Sequence, residues 1–333
     1  MSLPGIIITV GPACEHLLQE MQDEGVSVFR LNLSHGELPW HEEQIHRIRA
    51  LKKPAKIMFD TKGPEIRTGI LSQEIELRAG EEITLTTREE DQQEDKRIFF
   101  CSYANLSDSV SVGGLLQFDN GGFSGEVTRI SEKTVSVRLF SDGVLGSKKH
   151  LNLPGVRVLL PTLIDFDKKA LQFGKEQGVD MYAISFCRKA EDVAEARALA
   201  GENAEIIAKI ENQEGLDHFS EIANAADGIM IARGDLGVEL PIEQVPVLQR
   251  KMLRELRGYP STFAIVATGL LRSMKSEPRP HRAEVTDIAT ATWEGTDYLM
   301  LSDETTVGKY PIEAVRMLRK TAEFAMEHAE GIR

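Results

Sequence analysis

Short apolar runs alternate with amphipathic stretches along most of this chain. Eight of the runs have the length and composition of buried strands, and they are IIITV (6–10), VSVFRL (26–31), KIMFD (56–60), MYAISF (181–186), EIIAKI (205–210), GIMIA (228–232), FAIVAT (263–268) and YLMLS (298–302). Helical periodicity lies between them, as at 166–177, 190–200 and 313–328. Strands that alternate with helices favour a parallel sheet, and eight such units make a (β/α)₈ barrel. The pattern therefore predicts an α/β fold built on a TIM barrel.

Period-2 runs and turn residues replace the helices between about Ile66 and Pro154. The runs are IELRAGEEITLTT, VSVGGLLQF, GGFSGEVTRI and KTVSVRLF, with Gly, Asp and Asn around them. This pattern is typical of antiparallel strands joined by tight turns. We therefore expect a small all-β domain at 66–154, inserted after barrel strand 3, between barrel segments 1–65 and 155–333. Such an insertion could act as a lid that excludes water from a site; an insertion without a functional role is the alternative.

Composition and charge narrow the class of protein. Hydrophobic residues make up 41% and charged residues 27% of the 333 positions, as in ordinary globular proteins. The net charge of −13 argues against a nucleic-acid partner and against an anionic membrane surface. Apolar stretches such as VRVLLP are too short to span a membrane, and the N-terminal MSLPG begins no signal peptide. Three widely spaced cysteines indicate neither a disulfide framework nor a metal site, so we expect a cytoplasmic location.

Polar side chains follow several of the predicted strands, at the end where barrel enzymes carry their chemistry. They are Arg30, Asn32, Ser34 and His35 after strand two, Asp60, Thr61, Lys62, Glu65 and Arg67 after strand three, Lys209 and Glu211 on strand five, Asp235 after strand six and Thr268 after strand seven. Lys209 and Glu211 are two positions apart and therefore leave the strand on the same side. Carboxylate oxygens are ligands that Mg²⁺ prefers. The cluster predicts a site for a phosphate and a divalent metal, although a plain ion pair is the alternative for Lys209 and Glu211 alone.

Ten motifs, in the same order, resemble those of the pyruvate kinase family. They are TVGPA (9–13), FRLNLSHG (29–36), FDTKGPEIRTG (59–69), LGSKK (145–149), NLPG (152–155), KIENQEG (209–215), ARGDLGVELP (232–241), ATGLLRSM (267–274), PRPHRAEVTDIA (278–289) and LSDETTVGKYPIEAV (301–315). The resemblance runs through essentially the whole chain. It implies a barrel with an inserted lid domain, and transfer of the phosphoryl group of phosphoenolpyruvate to ADP, which gives pyruvate and ATP in the final step of glycolysis.

The resemblance also implies roles for individual barrel residues. Glu211 and Asp235 resemble the family's ligands for Mg²⁺ or Mn²⁺. Lys209 resembles its transition-state stabiliser, and Arg30 the group that holds the transferring phosphate. The backbone at Gly234 and Asp235, together with the catalytic residue Thr268, would receive the substrate carboxylate.

Two further sets of residues are implied in the same way. The K⁺ ligands of the family correspond to Asn32, Ser34, Asp60 and Thr61, and Glu65 stands where potassium-dependent members carry glutamate. The nucleotide is expected between barrel and lid, at Pro12, Asn32, His35, Arg67 and Lys149. The resemblance therefore implies that activity depends on K⁺ as well as on Mg²⁺.

The chain also departs from the family pattern. The family usually continues with a C-terminal domain, and this sequence ends at Arg333, so we expect that domain and its sugar-phosphate allostery to be absent. A homodimer through barrel helices is then favoured over a tetramer. Gly269 stands where the family usually has glutamine, and Asn120 stands where it usually has aspartate. Asp303 and His150 each stand where the family usually has glycine.

Three interpretations of function stay open at this point. The first is an active pyruvate kinase without allosteric control. The second is a weakened or non-catalytic paralogue that binds phosphoenolpyruvate or nucleotide. The third is a Mg²⁺-enolate lyase on the same type of barrel, although such barrels lack the inserted domain and the lysine before the metal-binding glutamate. The retention of Lys209, Glu211 and Asp235 favours the first.

Overall fold

A computed structural model describes residues 2–329, and its strands and helices are numbered here in chain order. Eight parallel strands close into a barrel, and they are β1 (Gly5–Thr9), β2 (Val26–Asn32), β3 (Lys56–Asp60), β12 (Met181–Ile184), β13 (Glu205–Ile210), β14 (Gly228–Ala232), β15 (Phe263–Ala267) and β16 (Tyr298–Leu301). Around the barrel their order is β1-β16-β15-β14-β13-β12-β3-β2. The predicted (β/α)₈ barrel is confirmed, with every strand at its predicted apolar run.

Alternate residues of these strands fill the inside of the barrel. The buried cluster there draws on all eight strands, with Ile7, Val28, Met58, Met181, Ala183, Ile207, Met230, Ala232, Ile265, Ala267 and Met300. Side chains alternate between the two faces of a strand, so residues two positions further along point to the same interior. Those residues include Thr9, Arg30, Asp60 and Lys209, and all four are buried. The pattern that builds the core therefore also gathers polar side chains at the carboxyl ends of the strands.

Helices connect the strands of the barrel. They are α1 (Leu18–Asp23), α2 (Leu38–Arg49), α4 (Asp165–Glu176), α5 (Ala190–Ala200), α6 (Gln213–Asp217), α7 (Phe219–Ala225), α8 (Arg233–Glu239), α9 (Val245–Leu256), α10 (Arg282–Glu294), α11 (Asp303–Thr306) and α12 (Pro311–Glu327). The expected helices at 166–177, 190–200 and 313–328 are confirmed by α4, α5 and α12. Pro311 opens α12, a position where the missing N–H of proline costs no hydrogen bond. Single 3₁₀ turns lie at Glu89–Asp91, Glu94–Lys96, Ile242–Gln244 and Arg272–Lys275.

The chain forms two compact units. The barrel unit comprises the chain up to Gly63, Thr162–Leu236 and the chain from Glu243 onward, and the second unit comprises Pro64–Pro161 with Gly237–Ile242. The second unit contains helix α3 (Leu106–Ser109) and strands β4 (Ile75–Leu77), β5 (Glu82–Thr86), β6 (Ile98–Phe100), β7 (Leu115–Phe118), β8 (Phe123–Ile130), β9 (Thr134–Leu139), β10 (Gly143–Leu145) and β11 (Leu151–Asn152). The domain bounds expected from the sequence stay a prediction.

The second unit has its own sheet and its own core. Six strands pair in the order β11-β7-β8-β9-β5-β6, and β10 pairs with β4. Apolar side chains such as Leu116, Phe118, Val135 and Val137 are fully buried between these strands. The predicted antiparallel pairing is confirmed for β5 with β9, β7 with β8 and β8 with β9. Strand β6 lies outside the runs named in the sequence analysis and pairs parallel to β5. The segment between them contains two 3₁₀ turns, which return the chain so that β6 runs in the direction of β5.

The carboxylate of Asp167 binds both the segment where the chain leaves the barrel unit and the segment where it returns. Asp167, in the first turn of α4, accepts hydrogen bonds from the backbone N–H of Lys62 (2.8 Å), Gly63 (3.1 Å) and Ile164 (3.2 Å). Gly63 has a φ of +70°, and a Cβ at this position would lie 2.9 Å from the side chain of Ser185. Glycine is therefore needed where the chain departs, both for its backbone angle and for its small size.

No helix within residues 2–329 is both long enough and apolar enough to cross a membrane. Cys14, Cys101 and Cys187 are buried and carry free thiols.

Candidate active site

Two buried cations share one buried carboxylate at the carboxyl ends of β2, β3 and β13. Arg30 Nε donates to Asp60 Oδ2 at 2.7 Å, and Lys209 Nζ donates to Asp60 Oδ1 at 2.9 Å. Arg30 and Lys209 are each 8% exposed, and Asp60 is fully buried. Burial alone would raise the pKa of Asp60, but the charges of Arg30 and Lys209 outweigh burial and lower it. The carboxylate therefore stays ionised and keeps both cations at the strand ends.

Glu211 follows β13 directly, and its side chain leaves the chain on the same side as that of Lys209. Its carboxylate contacts the Lys209 ammonium group. Its Oε2 accepts a hydrogen bond from the N–H of Phe186 at 2.7 Å. Its Oε1 forms an ion pair with Lys209 Nζ at 3.0 Å but has no hydrogen-bond partner among the described residues. Burial raises the pKa of Glu211, the charge of Lys209 opposes this, and the charges of Asp235 and Asp60 add to the increase. Glu211 is thus a buried carboxylate with one oxygen available to a ligand.

Asp235 lies in the first turn of α8 and belongs to the same electrostatic cluster. Burial lowers the pKa of Lys209, but the charges of Asp60, Glu211 and Asp235 raise it more, so the net pKa is above its usual value. The lysine is consequently protonated throughout the physiological range. The structure therefore brings together the lysine and the two carboxylates that the sequence singled out.

Two residues of this site were missed by the sequence analysis. Ser185 Oγ accepts a hydrogen bond from Lys209 Nζ at 2.7 Å. Thr9 Oγ1 accepts one from Arg30 Nη1 at 2.8 Å. Ser185 follows β12 and Thr9 ends β1, so the rule that picked polar residues at the other strand ends would have found both. Thr9 and Ser185 each lie in a run of mostly apolar residues without charges, so local composition did not indicate a charged site there.

Thr268 follows β15 in a strained backbone conformation. Its φ is +73°, which is rare for a residue branched at Cβ. Arg233 holds this turn, because its Nη2 donates to the Thr268 carbonyl oxygen at 2.7 Å and its Nη1 donates to Asp287 Oδ1 at 2.7 Å. A Cβ at Gly234 would lie 2.9 Å from the Thr268 side chain, so the start of α8 packs closely against it. Thr268, Gly234 and Asp235 therefore lie at the ends of the neighbouring strands β14 and β15.

The predicted K⁺ ligands fall on two neighbouring strand ends. Asn32 and Asp60 are paired positions of β2 and β3. Asn32 Oδ1 accepts the N–H of Ser34 at 3.1 Å, and Thr61 Oγ1 accepts the N–H of Ser185 at 2.9 Å. These four predicted ligands supply oxygen atoms only, which is the donor type that a hard cation requires.

The predicted nucleotide residues divide between the two units. Pro12, Asn32 and His35 follow β1 and β2 in the barrel unit, where Pro12 and His35 are exposed. Arg67 and Lys149 belong to the second unit. They lie on adjacent segments there, because the N–H of Thr68 donates to the carbonyl oxygen of Lys149 at 2.9 Å. Arg67 Nε donates to Glu65 Oε2 at 2.8 Å, and Lys149 Nζ donates to Asp119 Oδ2 at 2.8 Å.

Comparison with known proteins identifies the family to which this chain belongs. Residues 2–315 match the family model described as pyruvate kinase, barrel domain. The chain belongs to the pyruvate kinase family. Among curated pyruvate kinases, those of Geobacillus stearothermophilus and Homo sapiens are each 41% identical to this chain over 98% of its length, and align over 58% and 60% of their own. The pyruvate kinase of Staphylococcus aureus strain USA300 is 41% identical over 95% of this chain and 56% of its own. The chain therefore spans about three-fifths of the length of these relatives.

The departures from the pyruvate kinase pattern have distinct environments. Gly269 has a φ of +74°, and apart from its two chain neighbours no described residue has an atom within 4 Å of the place where a Cβ would stand. Asp303 is exposed, and Lys275 Nζ donates to its Oδ2 at 3.0 Å. Asn120 lies in an exposed turn with a φ of +54°, and His150 Nε2 lies 2.7 Å from Arg67 Nη2. Asp303 thus carries its negative charge in an exposed ion pair.

Within residues 2–329, no group of three or more His, Cys, Asp or Glu residues is arranged to hold a metal ion. Mg²⁺ commonly takes only one or two protein carboxylates and completes its shell with water and substrate oxygens. Glu211 and Asp235 satisfy that requirement, and Oε1 of Glu211, which accepts no hydrogen bond from the described residues, is an oxygen suited to such an ion. The residues therefore fit the divalent metal that the sequence led us to expect.

Proposed function

We propose that this protein transfers the phosphoryl group of phosphoenolpyruvate to ADP and so forms pyruvate and ATP. The observation that carries the proposal is the buried cluster of Arg30, Lys209, Asp60 and Glu211 at the carboxyl ends of the barrel strands. Two fixed cations beside a carboxylate oxygen that accepts no hydrogen bond from the described residues suit a phosphate and a metal in one site. The names of the relatives, all pyruvate kinases, point to the same reaction.

Lys209 would stabilise the transferring phosphoryl group. Its ammonium group is held by Asp60, Ser185 and Glu211, so it does not need to reorganise when negative charge develops nearby. Phosphoryl transfer requires mainly positioning and electrostatic stabilisation from the protein. A buried, permanently charged lysine provides both.

Arg30 would hold the phosphate of the substrate. Its Nε and Nη1 donate to Asp60 and Thr9, which fixes the plane of the guanidinium group. A guanidinium carries five N–H donors, so donors remain for a phosphate oxygen. The charged hydrogen bonds between arginine and phosphate are among the stronger ones in proteins.

Glu211 and Asp235 would hold Mg²⁺ or Mn²⁺, and Asn32, Ser34, Asp60 and Thr61 would hold K⁺. The divalent ion, when bound, would offset negative charge on the oxygens of phosphoenolpyruvate and of the enolate. Thr268 and the backbone N–H groups of Gly234 and Asp235 would bind the substrate carboxylate. The fixed turn at Thr268, held by Arg233, supports that assignment because it sets the position of the threonine before substrate arrives.

The nucleotide would contact Pro12, Asn32, His35, Arg67 and Lys149. Arg67 and Lys149 lie on adjacent segments of the second unit and carry positive charge, which suits the phosphate groups of ADP. A homodimer through barrel helices and a cytoplasmic location stay predictions from the sequence.

The proposal is tested by pyruvate formation from phosphoenolpyruvate and ADP with Mg²⁺, with and without K⁺, coupled to lactate dehydrogenase. We expect turnover that requires Mg²⁺ and is stimulated by K⁺. Binding of phosphoenolpyruvate without turnover would instead support the non-catalytic paralogue. Release of pyruvate by cleavage of a carbon–carbon bond in a hydroxy-acid substrate, with no phosphoryl transfer, would support the lyase.

Replacement of Glu65 by lysine should relax the dependence on K⁺. A lysine ammonium would supply the positive charge that the monovalent ion otherwise brings to the site. The measurement is the rate with KCl relative to the rate with tetramethylammonium chloride at equal ionic strength. Glu132→Lys, an exposed change of the same charge in the second unit, is the control and should keep the wild-type ratio. A Glu65→Lys enzyme that needs K⁺ as strictly as wild type would contradict the role given to Glu65.

A further inference from the structure

The guanidinium group of Arg67 is held from three directions within the second unit. Nε donates to Glu65 Oε2 at 2.8 Å, Nη1 donates to the carbonyl oxygen of Lys148 at 2.7 Å, and Nη2 donates to His150 Nε2 at 2.7 Å. The Arg67 side chain is 32% exposed, so part of the group faces outward. Three of its five N–H donors are used by residues that the structure describes, which leaves two for an anion.

The backbone places His150 opposite Arg67. The two residues form an antiparallel bridge, and the N–H of the next residue, Thr68, donates to the carbonyl oxygen of Lys149 at 2.9 Å. Side chains at directly opposed positions of an antiparallel pair lie close enough to interact. The contact between ring and guanidinium therefore follows from the pairing of these two residues in the bridge.

The hydrogen bond between Arg67 and His150 has one possible direction. Arginine has no acceptor, so Nη2 of Arg67 donates and Nε2 of His150 accepts. Glu65 Oε1 lies 3.4 Å from the same Nε2, compared with 2.7 Å for Arg67 Nη2. The shorter contact is to arginine, and the ring acts as an acceptor for it.

The acceptor matters because an arginine side chain has many rotamers. Ordering such a side chain when a ligand binds costs free energy that weakens the complex, and ordering it beforehand removes that cost. Glu65 and Lys148 hold only Nε and Nη1, so His150 is the group that holds Nη2. Lys149, bound through Nζ to Asp119, brings a second cation to the same strand pair.

We infer that His150 is a positioning residue that orients Arg67 to bind the phosphate groups of a nucleoside diphosphate. The inference rests on the proposed function, in which Arg67 contacts ADP. The inference gives a role to the side chain of His150, which stands where the family usually has glycine. A glycine would offer Arg67 no side-chain acceptor. His150 itself touches the arginine, and the arginine touches the nucleotide.

The test compares His150→Ala, which removes the acceptor, with His150→Gln, which keeps an oxygen acceptor at similar reach. In steady-state assays, His150→Ala should raise KM for ADP about three- to tenfold, the effect of one lost hydrogen bond. KM for phosphoenolpyruvate and kcat should stay within about twofold of wild type, and His150→Gln should restore KM for ADP to that same range. His16→Ala, an exposed change in the barrel unit, is the matched control.

A purely structural role for His150 predicts a different result. It would lower kcat, or change both KM values together, and glutamine would not rescue it. Unchanged KM for ADP in His150→Ala would overturn the inference directly.

A second measurement separates this inference from the proposed function. If wild-type protein forms no pyruvate, the proposed function fails, but the orientation of Arg67 can still be measured. Crystal structures of wild type and His150→Ala should show an ordered guanidinium group in the first and a displaced or disordered one in the second. The same ordered position in both would overturn the positioning role, whether or not the wild-type protein turns over.

Discussion

Lys209→Met should reduce kcat for pyruvate formation by about a thousandfold, the order of effect reported for removal of one fixed charge or donor at a transition state. Methionine keeps the length and the apolar stem of the side chain but removes its charge. Lys209 is held by hydrogen bonds to Asp60 and Ser185, and its pKa lies above the usual value because three carboxylates outweigh burial. The charge is therefore present throughout the physiological pH range, and its loss removes one of the positive charges proposed to stabilise the transferring group.

Metal binding separates this effect from collapse of the site. Glu211 and Asp235 remain in the variant, so titration with Mn²⁺, followed by electron paramagnetic resonance, should still show a bound ion. Lys168→Met is the matched control, because Lys168 forms an exposed ion pair with Glu195 at 2.8 Å and should turn over as wild type does. Normal kcat in Lys209→Met would show that the lysine does not stabilise the transferring group.

Asp60→Asn should lower the free energy of unfolding of the barrel unit by about 3–5 kcal/mol, the usual cost of removing one partner of a buried ion pair. Asparagine has nearly the shape of aspartate, so packing is kept and only the charge is lost. Arg30 and Lys209, each 8% exposed, would then be two like charges without the carboxylate between them. Urea unfolding measures the effect, and both tryptophans, Trp40 and Trp293, lie in the barrel unit and report on it.

The control for this prediction is a carboxylate in an exposed ion pair. Glu195→Gln removes the partner of Lys168, and the side chains of that pair are 44% and 41% exposed, so we expect a loss of no more than about 1 kcal/mol. If Asp60→Asn unfolded at the same urea concentration as wild type, with an unchanged slope, Asp60 would not be what stabilises the two cations.

Much of the barrel and of the charged site could be predicted from period-2 patterning. A buried strand alternates its side chains between two faces, so Val28, Met58 and Ile207 in the core fix the direction of Arg30, Asp60 and Lys209 two residues later. Barrel closure then brings these three strand ends to one rim. The alternation within each strand therefore predicts which polar side chains face the barrel interior. The number of strands predicts that the barrel closes and brings these side chains together.

Other features depend on contacts that no local pattern encodes. The parallel pairing of β5 with β6 depends on how the chain returns between them, and sheet pairing is decided by tertiary packing. Thr268 adopts a φ of +73° against its own preference, because Arg233 and Gly234 hold it there. Ser185 is one serine among many until the fold sets it 2.7 Å from Lys209. Propensity would not predict any of these three.

The three hydrogen bonds that Asp167 accepts have a consequence for how this chain could change over time. They fasten Lys62 and Gly63, where the chain departs, to Ile164 just after it returns. For the barrel, everything between these points is a single closed loop, and the entropy cost of closing a loop grows only slowly with its length. We therefore expect the barrel to accept longer, shorter or exchanged inserts at that position, because the carboxylate that joins the two ends belongs to α4 and not to the insert.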